Sequence, residues 1–276
     1  MNPAIEIKNL TCSYGNNSVL RDISFLVPKG DFYVIIGPNG SGKTTLLKTM
    51  SASIRYQQGA IEIQGRPLEN YTKRSLARTV ALVPQHIPLD FPFTVMELVL
   101  MGRSPHLGIL GFPQKEDIEI ARQALSFTGV GQLAERKLDQ LSGGERQLVF
   151  IARAICQQPQ VIFLDEPTAS LDLSHQTRIM DLMEDLKTTK AITIVMVSHD
   201  LNLAAMYGDN LLLLKAGEVV RQGRPMDVLS FKVLEETYGC PLLVDQGGLG
   251  GFPRVTPVPG RFISRSLGQK EREVEK

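Results

Sequence analysis

Eight consecutive residues, Gly37-Pro38-Asn39-Gly40-Ser41-Gly42-Lys43-Thr44, match G-x-x-x-x-G-K-[ST] at every fixed position. Each type has a task beside a phosphate. Glycine lets the backbone approach an anion that a Cβ would hold off. Successive N–H groups then turn inward, and the helix that follows offers its positive end. Lys43 adds a mobile charge for the outer phosphates, and the Thr44 hydroxyl is a ligand for Mg²⁺. With Thr45 just beyond, these residues form the candidate site for a nucleoside triphosphate.

A second set is Asp165-Glu166, which follows four apolar residues. A buried strand delivering two carboxylates implies a use for them, because unpaired buried charge is costly. In nucleotide sites the first carboxylate holds Mg²⁺, and the second can polarise an attacking water. The plainer reading of the pair is a helix cap at a strand end. A third set is Leu141-Ser142-Gly143-Gly144-Glu145. Ser142 and Glu145 have capping-box spacing, but two glycines in a first turn weaken a helix by about 1 kcal/mol each relative to Ala. Their expected use is to let phosphates of another molecule reach the helix end.

Elements must position these sets. Phe32 to Ile36 reads as a buried strand before the glycine loop, and Thr45 to Met50 as the helix after it. Ala4 to Lys8, Val19 to Val27 and Ala60 to Gln64 alternate as half-buried strands, with a turn cluster at residues 13–17. Val80 to Val83, Val161 to Leu164, Ile192 to Val197 and Leu211 to Leu214 read as buried strands. From Phe91 to about Leu138 the texture is helical: Thr94 to Glu97 is a capping box, and Asp117 to Phe127 is amphipathic. Helices are also expected around Ile179 to Leu186 and over Leu201 to Tyr207. Strands alternating with helices predict a mostly parallel sheet covered on both faces. Gly- and Pro-rich sequence after Val244 predicts a flexible tail over 245–276.

The chain has 276 residues and a net charge of +1, which gives no electrostatic case for a nucleic-acid partner. No apolar run approaches the roughly 18 residues that span a bilayer. Met1 to Leu10 lacks a basic-then-apolar leader, so no export signal is expected. Cys12, Cys156 and Cys240 lack metal spacing and read as packing thiols in a reducing cytoplasm.

In order and spacing, the phosphate loop, Gln85, the 141–145 stretch, Val161 to Glu166, Ser170-Leu171-Asp172 and Ser198-His199-Asp200 resemble the ATPase subunit of ABC transporters over about residues 5–244. The resemblance implies a P-loop NTPase core of mostly parallel sheet, with an antiparallel β subdomain and an inserted α-helical subdomain at about 91–158. It implies ATP and Mg²⁺ as cofactors, with Thr44, Gln85 and Asp165 at the metal. Glu166 would be the general base, and His199 would contact the γ-phosphate and the water. Tyr14 would stack on adenine, and Gln85 would couple to a membrane partner. In a head-to-tail homodimer, Ser142, Gly143 and Gly144 would close on the partner protomer's ATP, and Asp172 would lie in the loop crossing the seam. Glu145 stands where the family more often has Gln. The partners implied are an integral membrane permease and a periplasmic or surface substrate-binding protein. The location implied is peripheral, on the cytoplasmic face of the inner membrane.

Met101 to Gly108 and Asp200 to Ala204 resemble stretches of ATPases that power import of iron-siderophores, haem and cobalamin. The alternative cargo is a zinc or manganese ion. A different class is a soluble ABC protein acting on ribosomes or DNA without transport, but such chains usually carry two cassettes or a long coiled coil. A small-molecule kinase would have no use for the 141–145 stretch.

Overall fold

The structure, a computed structural model, describes residues 3–15, 17–85, 92–108, 111–247 and 250–259. Asn16, His86, Phe91, Gly248 and 260–276 lie outside these residues. Along the chain, β1 (Ile5–Tyr14) and β2 (Asn17–Val27) form a hairpin, and β3 (Phe32–Ile36) leads to the phosphate loop and α1 (Lys43–Met50). Next come β4 (Gln58–Ile63), β5 (Arg66–Pro67), α2 (Lys73–Thr79) and β6 (Val80–Val83). Three helices follow, α3 (Val95–Leu100), α4 (Lys115–Phe127) and α5 (Gly143–Cys156). Then β7 (Val161–Asp165), α6 (Leu173–Lys190), β8 (Thr193–Val197), α7 (Leu201–Tyr207), β9 (Asn210–Lys215) and β10 (Glu218–Gly223) complete the alternating part. The described chain ends with α8 (Pro225–Val228), α9 (Phe231–Tyr238), β11 (Leu242–Gln246) and β12 (Pro253–Pro257).

Strands β2-β1-β4-β5 form an antiparallel sheet, and β10-β9-β3-β8-β7-β6 form the main sheet. In the main sheet the neighbours from β9 to β6 are parallel, and β10 closes one edge antiparallel. Every residue of β3, β7 and β8 is buried, as a parallel sheet covered on both faces requires. Alternation along β3 divides two cores. Phe32, Val34 and Ile36 pack with the helices α3 to α6, whereas Tyr33 and Ile35 pack with α1 and the antiparallel sheet. Register puts Ile35 level with Val197, and Val197 level with Asp165. The ends of β3, β8 and β7 therefore release their loops side by side, in the crevice at the carboxyl edge where open α/β sheets bind ligands.

The helical stretch between β6 and β7 is tied down by a buried ion pair. Arg103 Nε donates to Asp117 Oδ1 at 2.9 Å, and its Nη1 donates to Cys156 O and Gln158 Oε1. Gly102 has its own reason to lack a side chain, since a Cβ there would lie 2.4 Å from Arg153 O on α5. His106 Nε2 is 2.9 Å from Gln157 O, and Pro105 O accepts from Arg74 and Arg78 of α2, a helix the periodicity did not reveal. The residues of 101–108 that resemble a cargo-class stretch are thus engaged within this chain.

Besides α2, three expectations are corrected. The expected turn at 13–17 is narrower, because Tyr14 pairs with Asn17 and Ser13 with Ser18. The boundary expected at Val244 falls inside β11, which pairs in register with β12. The flexible reading of 245–276 is therefore corrected over 245–246 and 253–257. Prolines at both ends of β12 mark an edge strand, not a missing one. Cys12 and Cys156 are buried, but Cys240 is exposed and is no packing thiol. No helix among the described residues is long and apolar enough to cross a membrane.

One buried carboxyl makes stability depend on pH. Asp31, just before β3, accepts from Asn210 at 3.1 and 3.2 Å beside Asp209 and Lys187. Burial pushes its pKa up to about 6 from 3.8. A raised carboxyl pKa means that the charged form is penalised in the fold. The penalty is full above pH 6 and fades as pH falls towards 4. Asp31→Asn should therefore raise unfolding free energy at pH 8 by about 1–3 kcal/mol, with the gain closing near pH 4, as read by urea denaturation across that range.

Candidate functional site

Gly37, Gly40 and Gly42 have φ of 149°, 75° and 101°, so the loop turns where side chains are strained. At Gly37 a Cβ would lie 2.2 Å from Leu214 O of β9, and at Gly42 it would lie 2.8 Å from Leu20 Cδ2. The loop is thus seated between β9 and β2 at the end of β3. Helix α1 starts from Gly42 with no side-chain cap and no acidic residue in its first turn. Its first residues line the cavity, so the positive end of the helix lies at the pocket. Lys43 Nζ donates to Gly37 O at 2.8 Å and to Pro38 O at 3.0 Å. Burial lowers its pKa, and the carboxylates of Glu166 and Asp165 oppose that shift. The Ser41 hydroxyl is buried without a hydrogen-bond partner, as a donor meant for an anion would be.

Strand β7 delivers Asp165 to the same edge, where Thr44 Oγ1 donates to Asp165 Oδ1 at 3.0 Å. Glu166 turns out of the strand with φ +51°, a conformation costing about 1–3 kcal/mol for a residue with a side chain. Its N–H donates to Val197 O of β8. Its side chain is 9% exposed and is held from two sides. Gln85 Nε2 donates to Oε2 at 2.6 Å, and the His199 ring Nε2 pairs with Oε1. Asn39, Gly40, Ser41, Gly42, Lys43, Thr44, Thr45, Gln85, Glu166 and His199 line one open cavity of about 390 Å³.

This arrangement can hold a polyphosphate on the loop and place a carboxylate beside its far end. The donors also fit Mg²⁺. Thr44 and Asp165 supply hard oxygens, and no group of three or more His, Cys, Asp or Glu among the described residues could hold a metal alone. An ion here would complete its shell with phosphate oxygens and water, as Mg²⁺ does.

The other expected residues lie elsewhere. Tyr14 is 52% exposed at the tip of the β1–β2 hairpin and does not line the cavity. Val19 does line it, and only its place in an alternating strand could have suggested it. Ser142, Gly143 and Gly144 open α5 away from the cavity, with the capping box formed: Ser142 N donates to Glu145 Oε2 at 2.8 Å. That backbone bond is the main reason the Glu145 pKa is lowered. Asp172 caps α6 and binds His175 through its backbone N–H and ring Nδ1, which holds the carboxyl well below its usual range. Gly143 is open, but a Cβ on Gly144 would lie 2.2 Å from His175 Cδ2. One of the two glycines is therefore required by this chain's own histidine. The sequence missed that link because 144 and 175 lie on different helices.

The family described as ABC transporter matches residues 20–169. The ferric enterobactin transport ATP-binding protein of Escherichia coli (strain K12) is 36% identical over 251 residues, 91% of this chain and 93% of that protein. The hemin import ATP-binding protein of Gloeobacter violaceus is 40% identical over 247 residues, 87% and 89% of the two chains. The manganese transport system ATP-binding protein of Bacillus subtilis (strain 168) is 40% identical over 237 residues, 85% and 92%. Among solved structures, a metal-chelate type ABC transporter in an inward-facing conformation superposes with a TM-score of 0.84 at 32% identity, covering 95% of this chain and all of that one. A dimeric bacterial ABC transporter cassette gives 0.72 at 30% identity, covering 80% and 98%.

The Gly144–His175 contact yields a double-mutant test. Gly144→Ala should gain about 1 kcal/mol of helix propensity in a His175→Ala background and little or nothing with His175 present. Thermal unfolding of the four variants reads the difference, and equal gains in both backgrounds would remove the contact from the account.

Proposed function

The chain belongs to the ABC transporter family and is one of its ATPases, and on that premise we propose that it energises import of an iron chelate (siderophore or haem) or cobalamin through a membrane permease. The observation that carries the catalytic part is the convergence, at one sheet edge, of the phosphate loop, the Thr44–Asp165 pair and the Gln85–Glu166–His199 chain. Gly37 to Thr45 cradle the phosphates, and Lys43 exchanges its loop carbonyls for the outer phosphate oxygens. Thr44 and Asp165, with Gln85, would hold Mg²⁺, which would supply charge neutralisation for the phosphates. Glu166 takes a proton from the water whose oxygen attacks the γ-phosphorus. The bond from that phosphorus to the bridging oxygen breaks, and ADP leaves with the oxygen's electron pair. His199 steadies Glu166 and the γ-phosphate. Tyr14, exposed at the tip of the β1–β2 hairpin, stacks on adenine.

Ser142, Gly143, Gly144 and Asp172 lie outside their own chain's cavity, which supports a role across a homodimer seam, and a related cassette is dimeric. Residues 1–244, continued by the β11–β12 hairpin, act as the ATPase domain, with about 91–158 as its helical subdomain, and Gln85 couples it to the permease. The assembly sits peripherally on the cytoplasmic face of the inner membrane, served by a periplasmic or surface substrate-binding protein. The cargo reading draws on the enterobactin and hemin relatives and on the metal-chelate type structure. The manganese relative favours a second reading, import of manganese or zinc. Reconstitution with the cognate permease and binding protein tests both: ATPase stimulation by an iron chelate or cobalamin supports the first, and stimulation by a metal ion alone supports the second.

Two variants test the chemistry. Glu166→Gln should bind ATP normally, lose about 10²- to 10⁴-fold in turnover and accumulate as an ATP-bound dimer in size-exclusion runs. A monomer that hydrolyses at the normal rate would remove Glu166 from its role. Ser142→Arg should bind ATP without hydrolysing it, and mixing it with Lys43→Ala should restore one working site per mixed dimer. Recovery of both sites, or of neither, would count against a shared site.

A further inference from the structure

The C-terminal hairpin is joined to the His199 segment by one side chain. Asn202, in the first turn of α7, donates from Nδ2 to Val255 O at 3.1 Å and accepts at Oδ1 from Val255 N at 2.8 Å. The two bonds satisfy both backbone polar groups of Val255, as a neighbouring strand would. The sequence of β12 leaves room for just this. Pro253 and Pro257 flank Val255 at alternate positions and carry no N–H, so among these three residues Val255 alone offers a donor on that edge.

From Asn202 the connections run straight to the site. Its own N–H and that of Leu203 are held by Asp200 Oδ1 at 2.8 and 2.9 Å. Asp200 caps α7 and adjoins His199, and its N–H donates to the Ser198 hydroxyl at 3.0 Å. The His199 ring meets Glu166, yet its side chain is 44% exposed. A second cavity of about 500 Å³ lies against it, lined also by Tyr238, Leu242, Val255 and Pro257. Packing on that flank is therefore loose. The ring's place is set by the backbone on either side: Ser198, whose N–H donates to Ile35 O at 3.1 Å, and the start of α7.

We infer that Asn202 is a positioning residue for hydrolysis, clamping Val255 to the first turn of α7 and so fixing where the His199 ring meets Glu166. The inference rests on the reading of His199 given under Proposed function. The hairpin thereby joins the catalytic unit, although it lies beyond the residues that carry the family motifs.

The test is a double-mutant cycle on full-length protein, with steady-state ATP hydrolysis and ATP affinity measured for Asn202→Ala, His199→Ala and the pair. Asn202→Ala should lose about tenfold in kcat while KM and ATP affinity stay within about twofold. The double variant should be no slower than His199→Ala, because the two act as one unit. A double variant slowed by the product of the two losses, or an Asn202→Ala enzyme with unchanged kcat, overturns the inference. If His199→Ala itself keeps full turnover, the reading of His199 fails instead. Asn202→Asp keeps the bond from Val255 N–H and serves where Asn202→Ala does not fold. Its loss should be absorbed by His199→Ala in the same way, and a multiplicative loss is again the contrary result.

Discussion

A strand buried on both faces ends here in two adjacent carboxylates, and most of the site exists to make that tolerable. Asp165 is nearly enclosed, and Glu166 leaves the strand in a left-handed turn. Each is met by a polar partner: Thr44 for the first, Gln85 and His199 for the second. Those partners come from the start of α1 after β3, the segment after β6 and the loop after β8. Parallel register is what brings these elements level. The placing of the two carboxylates is thus a consequence of strand order.

Much of this was readable in the residues. The phosphate loop announces itself because its physics demands particular types at fixed spacing, and Gly37 and Gly42 indeed sit where a side chain would collide. The capping boxes at Thr94 and Ser142 are local, four residues long, and formed as expected. The buried strands announce themselves by their apolar runs. What could not be read were pairings between distant segments. Helix α2 has no buried residue and so no apolar stripe to detect. Strands β11 and β12 are short, proline-bounded and separated by glycines, so composition suggested a loose tail where register made a hairpin.

The stretch at 101–108 shows how a recognisable motif can have a plain physical basis. Gly102 allows a close approach to α5, Arg103 crosses a buried interior to Asp117, and His106 reaches the end of α5. Gly144 is similar: its bareness serves the His175 ring of the same chain, while Gly143 remains open to whatever approaches from outside. One short segment thus holds one glycine required by inner packing and another left exposed.

Helices α5, α6 and α7 each begin with a side chain that ties off their leading amides, and α1 does not. In the proposed mechanism its opening turn is finished by the arriving polyphosphate. The nucleotide is in that sense a removable piece of secondary structure, and its departure after hydrolysis unravels a cap as well as vacating a pocket. Fuel and scaffold are coupled at a single turn of backbone.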